Sequence, residues 1–160
     1  MKNTLFEDKD YQLWVLLRQA RDEVLRVRQK ELSPYGISPQ EAAILFFIQV
    51  IGNNCTPTDI AQWLLRRHHA VLGILSRMEK KQLISRTRDL KRKNLVRVSL
   101  TEKGQQAFYQ STKIDSLHQI MSSLSQEERQ QLRSFLEIIR DRALKEVNSI
   151  PEPDPKPPFP

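Results

Sequence analysis

Apolar residues recur at helical spacing along most of the chain, and in one short stretch they alternate with polar ones. Leucines, valines and an alanine spaced three or four apart predict an amphipathic helix over Lys9–Leu32. Residues Pro39–Ile51 are apolar on nearly every side, which predicts a buried central helix. In Leu95–Leu100 the valines and leucine alternate with Arg97 and Ser99, which predicts a strand.

Capping sequences define several helix starts. Tetrapeptides beginning at Ser38, Thr56 and Ser125 place Glu or Asp three residues after a hydroxyl side chain, the pattern of a capping box. Proline follows Ser38 and Thr56, at the first helical position that it favours. The sequence therefore predicts a mainly α fold with a small β-hairpin wing. Its predicted elements are helices Lys9–Leu32, Pro39–Ile51, Pro57–Leu64 and Arg67–Gln82, strands Ile84–Arg88 and Leu95–Leu100, and helices Glu102–Ser122 and Gln126–Asn148.

The third and fourth helices, joined by a tight turn at residues 65–66, form a predicted helix-turn-helix. Around the fourth helix, an apolar side faces the core and a polar side with small residues faces away. The apolar side holds Val71, Ile74, Leu75 and Met78, and the polar side holds His69, Gly73, Ser76 and Lys80. Small residues at the middle of a polar face let a helix approach closely into a groove, so we interpret it as a recognition helix. An ordinary amphipathic surface helix is the alternative.

The net charge of +7 is concentrated in one segment. Residues 66–103 hold 12 Lys or Arg and 3 Asp or Glu, a net charge of +9, and the rest of the chain is net −2. Such a basic block is typical of an element that binds a polyanion, although a solvated basic face without a partner remains the alternative. Cations in the hairpin turn favour contacts with phosphates or a minor groove. The predicted contacts with double-stranded DNA are Arg66, Arg67, His68, His69, Gly73, Ser76, Arg77, Lys80, Lys91, Arg92 and Lys93.

Four stretches resemble the MarR family of transcription regulators: Gly36–Glu41, Asp59–Leu64, Leu75–Arg86 and Val98–Gly104. The last two resemble the sequences that the family places before and after its wing. The resemblance implies a homodimer built from the N- and C-terminal helices, with one winged helix-turn-helix lobe in each subunit. It also implies that the protein binds an inverted-repeat operator as a repressor and is released by a small molecule or an oxidant.

The chain departs from the family at three places. Residues 67–70 are Arg, His, His and Ala, where the family has small hydroxylated side chains. Arg92 and Asn94 occupy the positions of an Asp–Arg pair that braces the wing turn, so we expect a wing without that brace. Gln82 replaces the glycine that usually follows the fourth helix.

The predicted organisation has four parts. Residues 1–37 form an N-terminal dimerisation helix, 38–101 the winged helix-turn-helix lobe, 102–149 the C-terminal dimerisation helices and 150–160 a disordered tail with six prolines. The polar start of the chain does not resemble a signal peptide, and its longest apolar stretch is too short for a membrane span. We therefore expect a cytoplasmic protein.

Other residues of interest have two interpretations each. Trp14, Arg18, Tyr35 and Trp63 are candidates for an effector pocket, although single aromatic residues in helices more often belong to the core. Cys55 lies just before a helix start, which lowers a thiol pKa if the thiol is exposed, but a buried, unreactive cysteine is the simpler interpretation.

Nothing in the sequence indicates an enzyme or a cofactor. His68 and His69 are adjacent on a helix and point in different directions, and His118 is the only other histidine, so no metal site is expected. No phosphate loop or nucleophile motif is present. The alternatives to a DNA-binding regulator are a winged-helix adaptor that binds an acidic protein, and an enzyme with an unrecognised site.

Overall fold

The computed structural model describes residues 4–92 and 94–149. The predicted mainly α fold with one β-hairpin is confirmed. Its elements are α1 (Lys9–Leu32), α2 (Pro39–Ile51), α3 (Pro57–Trp63), α4 (His68–Lys80), β1 (Ile84–Arg88), β2 (Val96–Leu100), α5 (Glu102–Ser111), α6 (Asp115–Met121) and α7 (Gln126–Ser149). Short 3-10 turns cover Thr4–Phe6, Ser33–Tyr35 and Gly52–Asn54.

The capping sequences start their helices where they were predicted to. At α2, the Ser38 hydroxyl accepts a bond from the Glu41 amide at 3.2 Å, and Glu41 accepts one from the Ser38 amide at 2.9 Å. The same reciprocal pair links Thr56 to Asp59 at α3. These bonds satisfy amide groups that have no partner inside the helix.

One apolar core joins α1, α2, α3, α4 and the hairpin. Its fully buried side chains include Leu32, Ile44, Leu45, Ile48, Ile60, Val71, Leu75, Met78, Ile84 and Val98. The prediction that α2 is buried nearly all round is wrong on one side. Phe46 and Val50 are 49% and 63% exposed in the protomer.

The hairpin is antiparallel, with Ile84 paired to Leu100 and Arg88 to Val96. Its base is bonded to and closely packed against the lobe. The Val98 amide donates to the Cys55 carbonyl at 2.9 Å, so β2 is also bonded to the chain that enters α3. A Cβ atom built on Gly104 would lie 1.8 Å from the Leu83 carbonyl oxygen, so only glycine fits where α5 passes the start of β1.

The single helix predicted over Glu102–Ser122 is wrong, because the structure has two helices with a break at 112–114. Side chains of α1 hold this break in place through hydrogen bonds. Arg28 donates to the carbonyl groups of Ser111 and Lys113, the second at 2.8 Å. Glu31, which also pairs with Arg28, accepts from the amide of Ser116 at 3.1 Å and from its hydroxyl at 2.7 Å.

The chain forms two compact units, the first ending at Leu117 and the second beginning at His118. The second unit is dominated by α7, in which none of residues 126–149 is buried. Its exposed large apolar side chains are Leu132, Phe135, Leu136, Ile138, Ile139 and Val147. The predicted disordered tail, 150–160, lies outside the described residues. Within the described ranges, every helix is too short or too polar to cross a membrane.

Candidate nucleic-acid interface

The turn between α3 and α4 is as tight as predicted. Leu65 adopts a left-handed backbone with φ of 52°, and the Arg66 amide donates to the Ala61 carbonyl at 3.0 Å. Helix α4 then starts at His68, with Arg67 as its capping residue. The turn places Arg66, Arg67 and His68 together at the exposed N-terminal end of α4.

The two predicted faces of α4 are confirmed as a packed face and a solvent face. Val71, Leu75 and Met78 are fully buried. On the other side His69, Gly73, Arg77 and Lys80 are exposed, and Ser76 is half-buried. That these residues contact DNA stays a prediction.

Gly73 has no side chain and so leaves a gap in the middle of the exposed face of α4. A side chain at this position would not be excluded by packing within the protein. A Cβ atom built there would meet only Nη1 of Arg77, at 3.8 Å, which is ordinary contact distance. Packing among the described residues therefore does not require glycine at this position.

A cross-link that the sequence analysis missed joins the wing to α4. Arg86 of β1 donates through Nε and Nη2 to Oε2 of Glu79, at 3.0 and 2.6 Å. Nη2 of Arg86 also donates to the Ser76 hydroxyl at 3.3 Å. The bonds from Arg86 hold the pKa of Glu79 below its ordinary value, so the pair stays ionised. Ser76 is therefore oriented by the wing while it lies on the exposed face of α4.

A brace without a counterpart in the sequence analysis holds the wing turn, because Asp89 and Arg97 supply it at positions other than 92 and 94. Oδ1 of Asp89 accepts from the amides of Lys91 and Arg92 at 2.8 and 3.0 Å. Oδ2 accepts from Nε and Nη2 of Arg97 at 3.2 and 3.1 Å. These partners, the two amides first, lower the pKa of Asp89. In the hairpin register, which pairs Arg88 with Val96, Arg97 lies diagonally across from Asp89, within reach of a long side chain.

The wing turn projects into solvent. Leu90 is 98% exposed, and Lys91 and Arg92 are exposed beside it. The third predicted wing contact, Lys93, lies outside the described residues. The turn thus presents cations outward, as an element that meets a polyanion should.

Within the described residues, the four predicted effector residues lie in separate surroundings. Trp14 is 55% exposed with its ring 5.4 Å from that of Tyr11, and Arg18 is exposed on the same helix. Trp63 stacks on Phe47 with ring centres 4.9 Å apart. Tyr35 ends the 3-10 turn after α1. As residues of a single effector pocket, they stay a prediction.

A cavity of about 430 Å³ opens between α1, α2 and α5, and none of those four residues lines it. Its walls are mainly apolar, and the buried Arg28 is among the residues that line it. The lining residues are Arg28, Pro39, Ala42, Ala43, Phe46, Phe108, Ser111, Thr112, Ile114 and Leu117. No sequence pattern indicates this cavity, because its walls join α1 and α2 to residues 108–117, which come much later in the chain.

The remaining candidate residues have simple surroundings. Cys55 is fully buried, and burial, aided by the charge of Asp59, raises the pKa of its thiol to about 11. Within residues 4–92 and 94–149, no three His, Cys, Asp or Glu side chains group as metal ligands would.

The chain resembles a solved transcriptional regulator over most of its length. The organohalide-sensing regulator RdhR-CbdbA1625, in its ligand-free form, is 34% identical with a TM-score of 0.79. The match covers 86% of this chain and 82% of that one. A sequence profile of the MarR family matches residues 35–93, from the end of the turn after α1 to the wing. The chain belongs to the MarR family of transcriptional regulators. The same regulator bound to 2,4-dichlorophenol aligns equally well with this MarR-family chain, with a TM-score of 0.80.

Two further structures share the winged-helix fold of this MarR-family protein. MepR of S. aureus, in a complex with DNA, is 25% identical with a TM-score of 0.74, and the match covers 81% of this chain and 96% of that one. A mutant of E. coli MarR with operator DNA has a TM-score of 0.74 at 22% identity, over 79% of this chain and 92% of that one, which bears on the fold alone. No curated protein matches the chain by sequence.

Proposed function

We propose that this MarR-family protein is a homodimeric transcription repressor that places α4 in the major groove of an inverted-repeat operator. The observation that carries the proposal is the exposed face of α4, with its gap at Gly73, beside a wing that presents Lys91 and Arg92 to solvent. A recognition helix with an adjacent wing reads base edges and contacts the backbone in one binding event. The DNA complex of the MepR relative supports this assignment. A regulator that binds chromosomal DNA acts in the cytoplasm and needs no catalytic residues.

The homodimer is proposed from apolar surface that the protomer leaves uncovered. On α1, Leu13 and Leu16 are 64% and 61% exposed, and on α7 Phe135 and Ile138 are 60% and 66% exposed. Soluble monomers rarely leave such stripes open, whereas two-fold dimers bury them against the same stripes of a partner. Sedimentation at micromolar concentration is expected to give twice the protomer mass of 18.8 kDa. A stable monomer would contradict the dimer.

The DNA interface is tested by changing Lys91, Arg92 and Lys93 together to Ala. Affinity falls with salt, and each phosphate contact adds about 0.9 to the steepness of log affinity against log salt. The variant should therefore show a fall that is less steep by up to about three for each wing. The control changes three exposed cations outside the basic segment, Lys9, Lys30 and Lys145, and alters the net charge equally. The proposal requires that the wing variant weakens binding to every duplex and that the control does not.

We also propose that the cavity between α1, α2 and α5 binds a small, largely apolar effector that releases the DNA. Its volume of about 430 Å³ suits a substituted aromatic ring, and the RdhR-CbdbA1625 relative was solved with 2,4-dichlorophenol bound. The test adds 2,4-dichlorophenol to the protein–DNA complex. Ala43→Leu, which fills the cavity, should still bind DNA but should no longer be released from it by 2,4-dichlorophenol. Trp14→Ala should lose this release only if the effector binds at the residues predicted from the sequence.

A further inference from the structure

We propose that Asp89 and Arg97 are positioning residues for DNA binding, because together they hold the wing turn at a fixed place beside α4. The inference rests on the proposed DNA-binding function and deepens it. Neither residue is needed as a DNA contact. Their role is to keep Lys91 and Arg92 where a backbone phosphate can meet them.

The first part of the brace is local to the turn. One carboxylate oxygen of Asp89 accepts from the amides of Lys91 and Arg92, at 2.8 and 3.0 Å. The backbone closes the turn as well, since the Asp89 amide donates to the Leu95 carbonyl at 2.8 Å. An aspartate that accepts from amides two and three residues later fixes the backbone from which those residues project.

The second part reaches from the turn to the body of the lobe. Arg97 donates to the other oxygen of Asp89 through two nitrogens, and its Nη1 donates to the Asn54 carbonyl at 2.8 Å. One residue further on, the Val98 amide donates to the Cys55 carbonyl at 2.9 Å. Residues 54–55 lead directly into α3, which packs against α4. The wing and the recognition helix are therefore fixed to the same part of the backbone.

The charge of Asp89 makes the inference open to a decisive test. It is one of only three acidic residues against 12 basic ones in residues 66–103. A carboxylate near a phosphate backbone opposes binding, so charge alone predicts that removing it strengthens DNA affinity. The positioning role predicts the reverse. The sign of one affinity change therefore separates the two accounts.

Two variants with the same charge separate the two parts of the brace. Asp89→Asn keeps a carbonyl oxygen for the turn amides but cannot hold Arg97 with its amide nitrogen. Asp89→Ala removes both parts. The matched control is Glu102→Gln, which removes one exposed carboxylate at the start of α5 and leaves the wing unchanged.

Affinity for duplex DNA is measured by fluorescence anisotropy at several salt concentrations on the full-length protein. We expect Asp89→Ala to bind about tenfold more weakly at about 0.15 M salt with a lower salt slope, and Asp89→Asn to fall between it and the parent. Glu102→Gln should bind as well as the parent or better. Amide exchange by NMR should quicken at Lys91 and Arg92 in Asp89→Ala and stay unchanged in α4, which separates loss of positioning from unfolding.

If Asp89→Asn and Asp89→Ala bind duplex DNA as tightly as the parent or more tightly, the positioning role is overturned. If the parent itself binds no duplex, the proposed function fails instead. Should Asp89→Ala prove unstable on heating, Asp89→Asn alone decides the question.

Discussion

Replacing Gly73 with leucine should make the protein more stable and its operator binding weaker. In an exposed helix interior, glycine is about 0.8–1 kcal/mol less favourable than alanine, and leucine is close to alanine. A Cβ atom at this position meets no clash, because its nearest neighbour is Nη1 of Arg77 at 3.8 Å. We expect Gly73→Leu to raise the free energy of unfolding by roughly 0.7 kcal/mol, which is about 2 °C in Tm for a chain of this size.

The same change should close the gap through which α4 approaches the DNA. A helix with its side chains is about 10–12 Å across and the major groove is about 12 Å wide, so there is little spare room at the point of closest approach. We expect Gly73→Leu to lose at least about 1.4 kcal/mol of operator affinity, a factor of about ten. Gly73→Ala should be as stable and should lose less affinity.

The assay measures thermal melting and operator affinity on the same preparations of the parent and both variants. Normal operator affinity in Gly73→Leu would show that α4 does not enter the groove at this position. A lower Tm would show instead that the Gly73 face is packed against protein.

Three further predictions follow from single contacts. Gly104→Ala should lower the free energy of unfolding in a denaturant titration by about 2–4 kcal/mol, because its Cβ would lie 1.8 Å from the Leu83 carbonyl; an unchanged midpoint would contradict this. With a thiol pKa of about 11 and no exposure, Cys55 should react with a thiol reagent at neutral pH only as fast as the lobe opens, and rapid labelling of the native protein would disprove it. Burial raises the pKa of Glu31, but the hydrogen bonds from Ser116 and Arg28 outweigh burial and lower that pKa in the folded protein. The ionised Glu31 therefore stabilises the fold above the ordinary pKa of Glu, and this stabilisation is lost as the pH falls through the pKa of the folded state. The parent should accordingly lose more stability than Glu31→Gln between about pH 5 and pH 3, and equal losses would count against the contact.

Contacts between residues near each other in sequence were predictable, and contacts between distant residues were not. The starts of α2 and α3 followed from capping boxes whose two partners lie three residues apart. The break after α5 had no such signal, since the residues that hold it, Arg28 and Glu31, lie more than 80 positions earlier.

The candidate site shows the same division. The two faces of α4 follow from its helical period, which the sequence displays directly. Its cross-link through Glu79 and Arg86 needed the distance between helix and strand, which no pattern gives. At the positions of the family's wing brace this chain has Arg92 and Asn94, so the sequence indicates no brace there. The hairpin register brings Asp89 and Arg97 together instead.

Binding of an operator by α4 and the wing of a dimer can be measured in one titration. The duplex is drawn from DNA beside the protein's own gene, is chosen by footprinting, and is compared with a shuffled duplex of equal length at several salt concentrations. We expect two chains per inverted repeat, a steep fall of affinity with salt, and a preference of at least about 10³ for the operator. Equal affinity for both duplexes, or no binding to either at about 50 mM salt, would contradict this expectation.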